Sequence, residues 1–245
     1  MVRILVFLFV LGVIVAGALA WENANFSGAG PSAANNASET DVVIKSGVGL
    51  HGIAQELADA GVIESPDLFM LGVRLRHTAS GLKAGEFAIP SRASMSDIMD
   101  ILIEGKSIQH KITAAEGLTS DMIAKLVAAD PVLTGEMVAT PAEGTLLPET
   151  YLFTRGTTRA DIVARMQRAQ SDLVARLWAA RAAGLPFKTP QEAVILASIV
   201  EKETSLPDER RHIAAIFVNR LRMGMKLQSD PTIIYTISGG KPAIT

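Results

Sequence analysis

The 245-residue chain is 49% hydrophobic and 20% charged, carries a net charge of −2 and contains no cysteine. This composition supports a buried core, excludes a disulfide scaffold, a thiolate nucleophile and cysteine-ligated metal, and argues against nucleic acid as a principal partner because no basic excess exists. The four histidines (His51, His77, His110, His212) are scattered and form no i, i+4 pair, so local zinc-ligand spacing is absent.

Residues 4–20 carry no charge. As a helix they rise ~26 Å, close to the thickness of a hydrocarbon core, with Trp21 at its edge. Arg3 precedes this run and Glu22 follows it, so the positive-inside rule leaves the N-terminus in the cytoplasm and residues 22–245 outside. The expectation is an uncleaved transmembrane anchor over residues 1–21. The alternative is a signal peptide cleaved after Ala18-Leu19-Ala20. Residues 22–41 are small, polar and non-periodic, the pattern of a flexible linker that lets the rest of the chain move away from the membrane surface.

Residues 42–107 read as a compact β-α-α-β-α module. The strands are 41–47 and 85–90; the helices are 50–63, 65–77 and 94–105, the last capped by Ser94 or Ser96 and ended by Gly105. No convergent polar cluster marks this module as catalytic. A second region, 108–245, opens with a strand at 108–117 and a helix at 118–129 capped by Thr119 or Ser120. An ordered loop with extended pieces (140–158) and a long amphipathic helix (159–186) come next, the helix placing Ile162, Met166, Leu173 and Leu177 on one face.

Thr189-Pro190-Gln191-Glu192 is a strong helix start, with Thr189 as N-cap, Pro190 at N1 and Glu192 completing a capping box. This helix runs through AVILASIVEKET and is stopped by Pro207. Glu203 lies above Ile199 and Val200 on a stripe that continues back to Leu196, whereas Glu201 lies above Ala197 and Ser198. Glu203 is therefore expected at the end of the buried stripe and Glu201 toward solvent. Burial disfavours an ionised carboxylate, which suits a general acid; the competing reading is a solvated helix end. A further helix, 208–225, has Asp208 as its cap and Ile213, Ile216, Phe217 and Leu221 as its core face. After it a polar loop, Lys226 to Asp230, runs into an apolar segment.

At these residues the chain resembles a known family. ILASIVEKET (195–204), Glu209-Arg210 and IFVNRLRMGMKLQSDPTIIY (216–235) resemble the membrane-anchored endolytic murein transglycosylases (the MltG or YceG-like family). So do LKAGEFAI (82–89), Glu116-Gly117 before LTS, and EGTLLPETYLF (143–153). The resemblance implies an α+β chain: one N-terminal transmembrane helix, a small LysM-like module at 42–107, and a mainly helical catalytic domain at 108–245. The family's catalytic domain continues past the closing GGKPAIT, so the resemblance implies a C-terminally truncated domain.

The implied activity is that of a lyase. It cleaves the β-1,4 bond between N-acetylmuramic acid and N-acetylglucosamine within peptidoglycan strands and leaves 1,6-anhydromuramyl ends. One glutamate, matched here by Glu203, acts first as acid and then as base. The sugar's own C6 hydroxyl is the nucleophile, so neither a second carboxylate nor any metal or organic cofactor is required. Asn219, Gln228, Asp230 and Tyr235, with Tyr151, are the candidates for a sugar-binding shell. Implied partners are peptidoglycan strands, the membrane through the N-terminal helix, and peptidoglycan synthases, with no nucleic acid. The implied location is the cytoplasmic (inner) membrane, with the catalytic part on its outer, periplasmic face.

Two other classes compete. One is a non-catalytic envelope protein that binds glycan or recruits synthases. The other is a hydrolase pairing Glu203 with Glu149 or Asp230, which would yield reducing ends.

Overall fold

The structure, a computed structural model, describes residues 2–136 and 139–238; the closing GGKPAIT lies outside them. Helices and short strands are mixed, and the chain divides into two compact units, residues 1–109 and 110–245, each with its own core.

The first helix, α1, spans Val2–Phe26 and is the one described helix long and apolar enough to cross a membrane. Its apolar side chains are exposed as far as Trp21, as a lipid-facing helix requires. The sequence pattern places a flexible linker from residue 22 onward, and here the structure differs. The helix continues to Phe26, whose ring is fully buried in the core of the first unit. The chain after it is also held. Gly30 N donates to Arg92 O (3.2 Å), Arg92 N to Pro31 O (2.9 Å), Ala33 N to Ser91 Oγ (3.0 Å) and Ser91 N to Ser38 O (2.8 Å). A Cβ at residue 30 would lie 2.2 Å from Ala93 O, so only glycine permits this approach. Small, polar residues read as a tether because nothing in their order reveals the surface they pack on.

In the first unit, β1 (Glu39–Ile44) pairs antiparallel with β2 (Gly85–Pro90), Val42 facing Phe87 in register. Alternation points Val42, Ile44, Phe87 and Ile89 inward. Helices α2 (Leu50–Asp59), α3 (Pro66–Leu75) and α4 (Met95–Glu104) bring Leu57, Phe69, Val73, Ile98 and Leu102 against them, all fully buried. The β-α-α-β-α order is the expected one, with helices shorter than periodicity suggests.

The start of α4 carries the expected cap. Ser94 Oγ accepts from Asp97 N (3.1 Å), while Asp97 Oδ2 accepts from Ser94 N (2.9 Å) and Oγ (2.7 Å). The hydrogen bonds from Ser94, side chain first and backbone second, hold the Asp97 carboxyl below its ordinary value, against a small opposing effect of burial. A depressed folded-state value contributes stability that is present above the unfolded carboxyl range and lost as pH falls through the folded value. Ser94→Ala is therefore expected to move the Asp97 titration, followed by NMR, up toward the ordinary range, and to cost about 1 kcal/mol at neutral pH.

In the second unit, β3 (His110–Ala114) and β4 (Glu149–Phe153) form an antiparallel pair with Ile112 opposite Tyr151. Helices α5 (Ser120–Ala129) and α6 (Arg159–Ala179) pack on it through Ile123, Val127, Ile162 and Met166. Thr119 caps α5 and Thr158 caps α6. Helix α6 stops at Ala179 rather than 186, and its expected face is only half used: Ile162 and Met166 are fully buried, but Leu177 is 59% exposed. Helices α7 (Pro190–Glu203) and α8 (Pro207–Arg222) meet around Leu196, Val200 and Phe217. The N-cap of α8 is Leu206, with no side-chain cap; Pro207 takes N1 and Asp208 falls inside the first turn. The expected cap at Asp208 is thus displaced by the proline's fixed φ. The apolar segment after Gln228 is a helix, α9 (Asp230–Ser238).

Candidate active site

The start of α7 obeys its sequence. Thr189 Oγ1 accepts from Glu192 N (3.2 Å), and Pro190 occupies the first turn. The Glu192 carboxylate, however, accepts from Lys188 N rather than from the cap residue, so the expected reciprocal box is shifted by one residue.

The end of α7 departs from expectation in the respect that matters most. The buried stripe is Leu196, Val200 and Thr204, at strict i, i+4 spacing. Thr204, not Glu203, takes the position at its end. Glu203 is the last helical residue and is exposed, while Glu201 is half-buried. The order of burial of the two acids is therefore reversed. The physical reason lies in the partner helix. Arg210 of α8 reaches back so that its Nη2 donates to Glu201 Oε1 (3.1 Å), and the pair covers Glu201. The Arg210 Nε is buried without a hydrogen-bond partner among the described residues. Thr204 Oγ1 donates to Glu209 Oε2 (2.8 Å) and accepts from Leu206 N (3.1 Å), which fixes the turn between the helices. Glu209 and Arg210, adjacent in sequence, thus brace the turn and Glu201 respectively.

Glu203 is held by a hydrogen bond from the loop between α8 and α9. Ser229 Oγ donates to its Oε2 at 2.7 Å, and Ser229 is buried. The bond ties the end of α7 to the loop between α8 and α9. That loop is set by two further features: Gln228 sits at φ 50°, and its Oε1 accepts from Arg220 Nη2 (3.1 Å). Gln228 and Asp230 therefore flank a residue in direct contact with Glu203, both exposed, with Asp230 opening α9. Asn219 is exposed on α8, its Oδ1 accepting a long bond from Arg222 Nη1 (3.4 Å). Tyr235 is half exposed on α9. The sequence shows a hydrogen-bonding run at 228–230 but offers no reason to single out Ser229, because only the packing of α9 on α7 turns its hydroxyl to the acid.

Two turns that share the family's sequence pattern come to α7 as well. The backbone at Gly117, just before α5, lies against Lys202, whose Nζ is 3.1 Å from the position of an added Cβ. The 142–145 loop packs beside α7, an added Cβ at Gly144 falling 3.0 Å from Val194 Cγ1. That loop is pinned by Glu143, which accepts from Ser120 N through both carboxylate oxygens (3.1 Å each), and by Gln170 Nε2, which donates to Gly144 O (2.9 Å).

Tyr151 lies elsewhere. It is buried in the core beneath β3 and β4, its hydroxyl donating to Leu147 O (2.8 Å). Burial pushes that hydroxyl's pKa up, the Glu149 charge adds to the effect and Arg165 opposes it. Those contacts commit Tyr151 to the fold. Glu149 sits at the start of β4, where its Oε1 accepts from Thr150 N (2.9 Å). Among the described residues, no group of three or more His, Asp or Glu is placed to hold a metal.

Comparison with known proteins adds to this geometry. An endolytic murein transglycosylase of Bacillus subtilis (strain 168) is 24% identical over 235 residues, covering 83% of this chain and 65% of the relative. One of Streptococcus pneumoniae serotype 2 is 25% identical over 248 residues, covering 84% of this chain and 44% of the relative. The chain thus spans about two thirds or less of the length of these curated relatives. A crystallised yceG-like protein of Listeria monocytogenes is 26% identical, with a TM-score of 0.43 over 85% of this chain and 78% of that one. The sequence profile of the YceG-like family matches residues 42–245, and with most of the chain inside that match the protein belongs to the YceG-like family.

Proposed function

We propose that the chain is the membrane-anchored, endolytic part of a peptidoglycan lytic transglycosylase, with Glu203 as its single acid and base. The observation that carries this reading is the placement of Glu203. It stands exposed at the end of α7 and is oriented by a buried hydroxyl, Ser229, from a separate element. An exposed carboxylate can meet a polymer that no closed pocket could admit, and a glycan strand laid over it would itself exclude water.

In this reading Glu203 protonates the glycosidic oxygen as the C1–O bond of the muramic residue breaks. The resulting carboxylate then takes the proton of the C6 hydroxyl, whose oxygen bonds to C1 and closes the anhydro ring. The proton returns to Glu203 and no water is consumed. Asn219 on α8, Gln228 in the loop after it, and Asp230 and Tyr235 on α9 are exposed polar groups and form the proposed sugar-binding shell; Tyr151 is assigned a folding role instead. The 42–107 region is proposed to be the LysM-like module. With α1 as anchor and Arg3 at its cytoplasmic end, the catalytic part faces outward from the cytoplasmic membrane, where new strands leave their synthases.

The test is mass spectrometry of products from purified peptidoglycan treated with the full chain. Anhydromuramyl ends are expected. Reducing ends would replace the mechanism with hydrolysis. Glycan binding without cleavage would leave the protein as a non-catalytic wall-binding member of its family. The Ser229 bond supplies a second expected outcome: Ser229→Ala removes the hydrogen bond that orients the Glu203 carboxyl and is expected to lower the cleavage rate about tenfold, with the circular dichroism spectrum unchanged.

A further inference from the structure

The end of α1 is built into the first unit rather than merely joined to it. Arg76 Nη1 donates to Glu22 Oε1 (2.9 Å) and its Nη2 to Asn23 Oδ1 (3.0 Å). The same guanidinium lies 4.1 Å from the centre of the Phe26 ring, and that ring stacks on Phe69 at 6.2 Å. Gly72 is the floor of the contact: a Cβ there would lie 2.2 Å from two atoms of the Phe26 ring. Glu22 is only 5% exposed. An ion pair this well covered, with a ring locked beneath it, fixes an orientation rather than a loose proximity.

The pairing also fixes a direction. The earlier residue of α1, Glu22, meets Arg76, which caps the C-terminal end of α3, and the later residue, Phe26, meets the earlier residues of α3, Phe69 and Gly72. Helix α3 therefore runs back along α1, toward the end from which the apolar run emerges. The uncharged stretch ends at residue 20, and Trp21 comes next. Arg76 stands level with Glu22, so the last turn of α3 lies at the edge of the apolar span. A headgroup layer is roughly 5–8 Å deep, about one helical turn.

That turn has the composition of a membrane contact. Arg74, Leu75 and His77 are exposed; Leu75 is 45% exposed, as is Leu71 one turn earlier. The charge of α3 is graded along its axis, with Asp67 in the first turn, away from the anchor, and Arg74 in the last. Basic and apolar side chains at an interface bury their carbon in the acyl boundary and leave charge among anionic headgroups.

We infer that the C-terminal end of α3, with Arg74 and Leu75 in its last turn and His77 just past it, is a membrane-surface contact for anionic lipid headgroups, so that the first unit is seated on the bilayer rather than tethered above it. The inference rests on the reading of α1 as an anchor. It makes the anchor and the small unit one rigid piece.

The natural absence of cysteine makes a direct test possible. Full chains bearing a single cysteine (Gly12→Cys, Leu75→Cys or Asp67→Cys) are labelled with a fluorophore and reconstituted into nanodiscs of phosphatidylcholine with phosphatidylglycerol. Acyl-chain nitroxides read position 12 and headgroup nitroxides read positions 67 and 75. Residue 67 lies ~12 Å further along α3 than residue 75. Strong quenching at 12, and quenching at 75 several-fold above that at 67, is the expected result. Adding Arg74→Glu, or omitting phosphatidylglycerol, is expected to reduce the signal at 75 at least twofold. Quenching at 12 with equal signals at 67 and 75 overturns the inference and leaves the anchor intact. A signal at 75 that ignores both lipid charge and Arg74→Glu overturns the headgroup contact. No quenching at 12 removes the anchor itself, and the inference with it.

Discussion

Glu203→Gln is expected to abolish anhydromuramyl product while leaving the fold and glycan binding in place. Glutamine keeps the size and can still accept from Ser229 Oγ, whose bond to Glu203 is 2.7 Å. What it loses, in the proposed reaction, is the proton that moves to the glycosidic oxygen and back from the C6 hydroxyl. Positioned acid–base groups contribute roughly 10²–10⁴-fold, so the rate should fall at least that far when one group performs both transfers. Glu201→Gln is the internal control. Its carboxylate is already committed to Arg210 (3.1 Å), and its loss should weaken the α7–α8 contact without removing the reaction. If Glu201→Gln is inactive and Glu203→Gln active, the roles assigned here are exchanged.

The largest effect on stability is expected from Phe87→Ala. Phe87 is fully buried on β2, opposite Val42 of β1 and in the core built with Phe69, Ile98 and Leu102. Truncating a buried phenylalanine removes its transfer free energy and leaves a cavity that a two-stranded pair cannot close, at a cost of about 3–5 kcal/mol. Chemical denaturation monitored by the fluorescence of Trp178, the tryptophan of the second unit, in a Trp21→Phe background reports that unit separately. Far-ultraviolet circular dichroism reports both. Because the cores of the two units share no residue among the described ones, the loss should fall on the circular dichroism transition and spare the fluorescence one. A matching shift in both would mean that the units unfold together.

Several elements are legible from residues alone because their signals are local. The uncharged run at 4–20, the Ser94 and Thr189 caps, Gly105 closing α4 and the strand GEFAIP each depend on chemistry within a few positions, and each appears where the pattern places it. Differences fall where the deciding partner is distant in sequence. Residues 22–41 read as a tether because Phe26 finds its site only when Gly72 and Phe69 are brought to it, more than forty positions away. The helix periodicity of 159–186 overshoots because Leu177 has the right spacing but stands 59% exposed among the described residues.

For the candidate site the division is the same. The sequence by itself determined that an acid pair ends an apolar helix, that a polar run at 228–230 comes after the next helix, and that the whole pattern resembles one family. Helical spacing ranked Glu203 as the buried acid and Glu201 as the solvent-facing one, and the structure reverses that order, because spacing takes no account of the helix packed on the other side. Tertiary structure set the order: Arg210 on α8 covers Glu201, Thr204 fills the last buried position, and Ser229 from the loop before α9 holds Glu203 at the surface. Spacing along one helix specifies which residues share a face, but only the helices packed on it decide which of them meets water and which meets a partner.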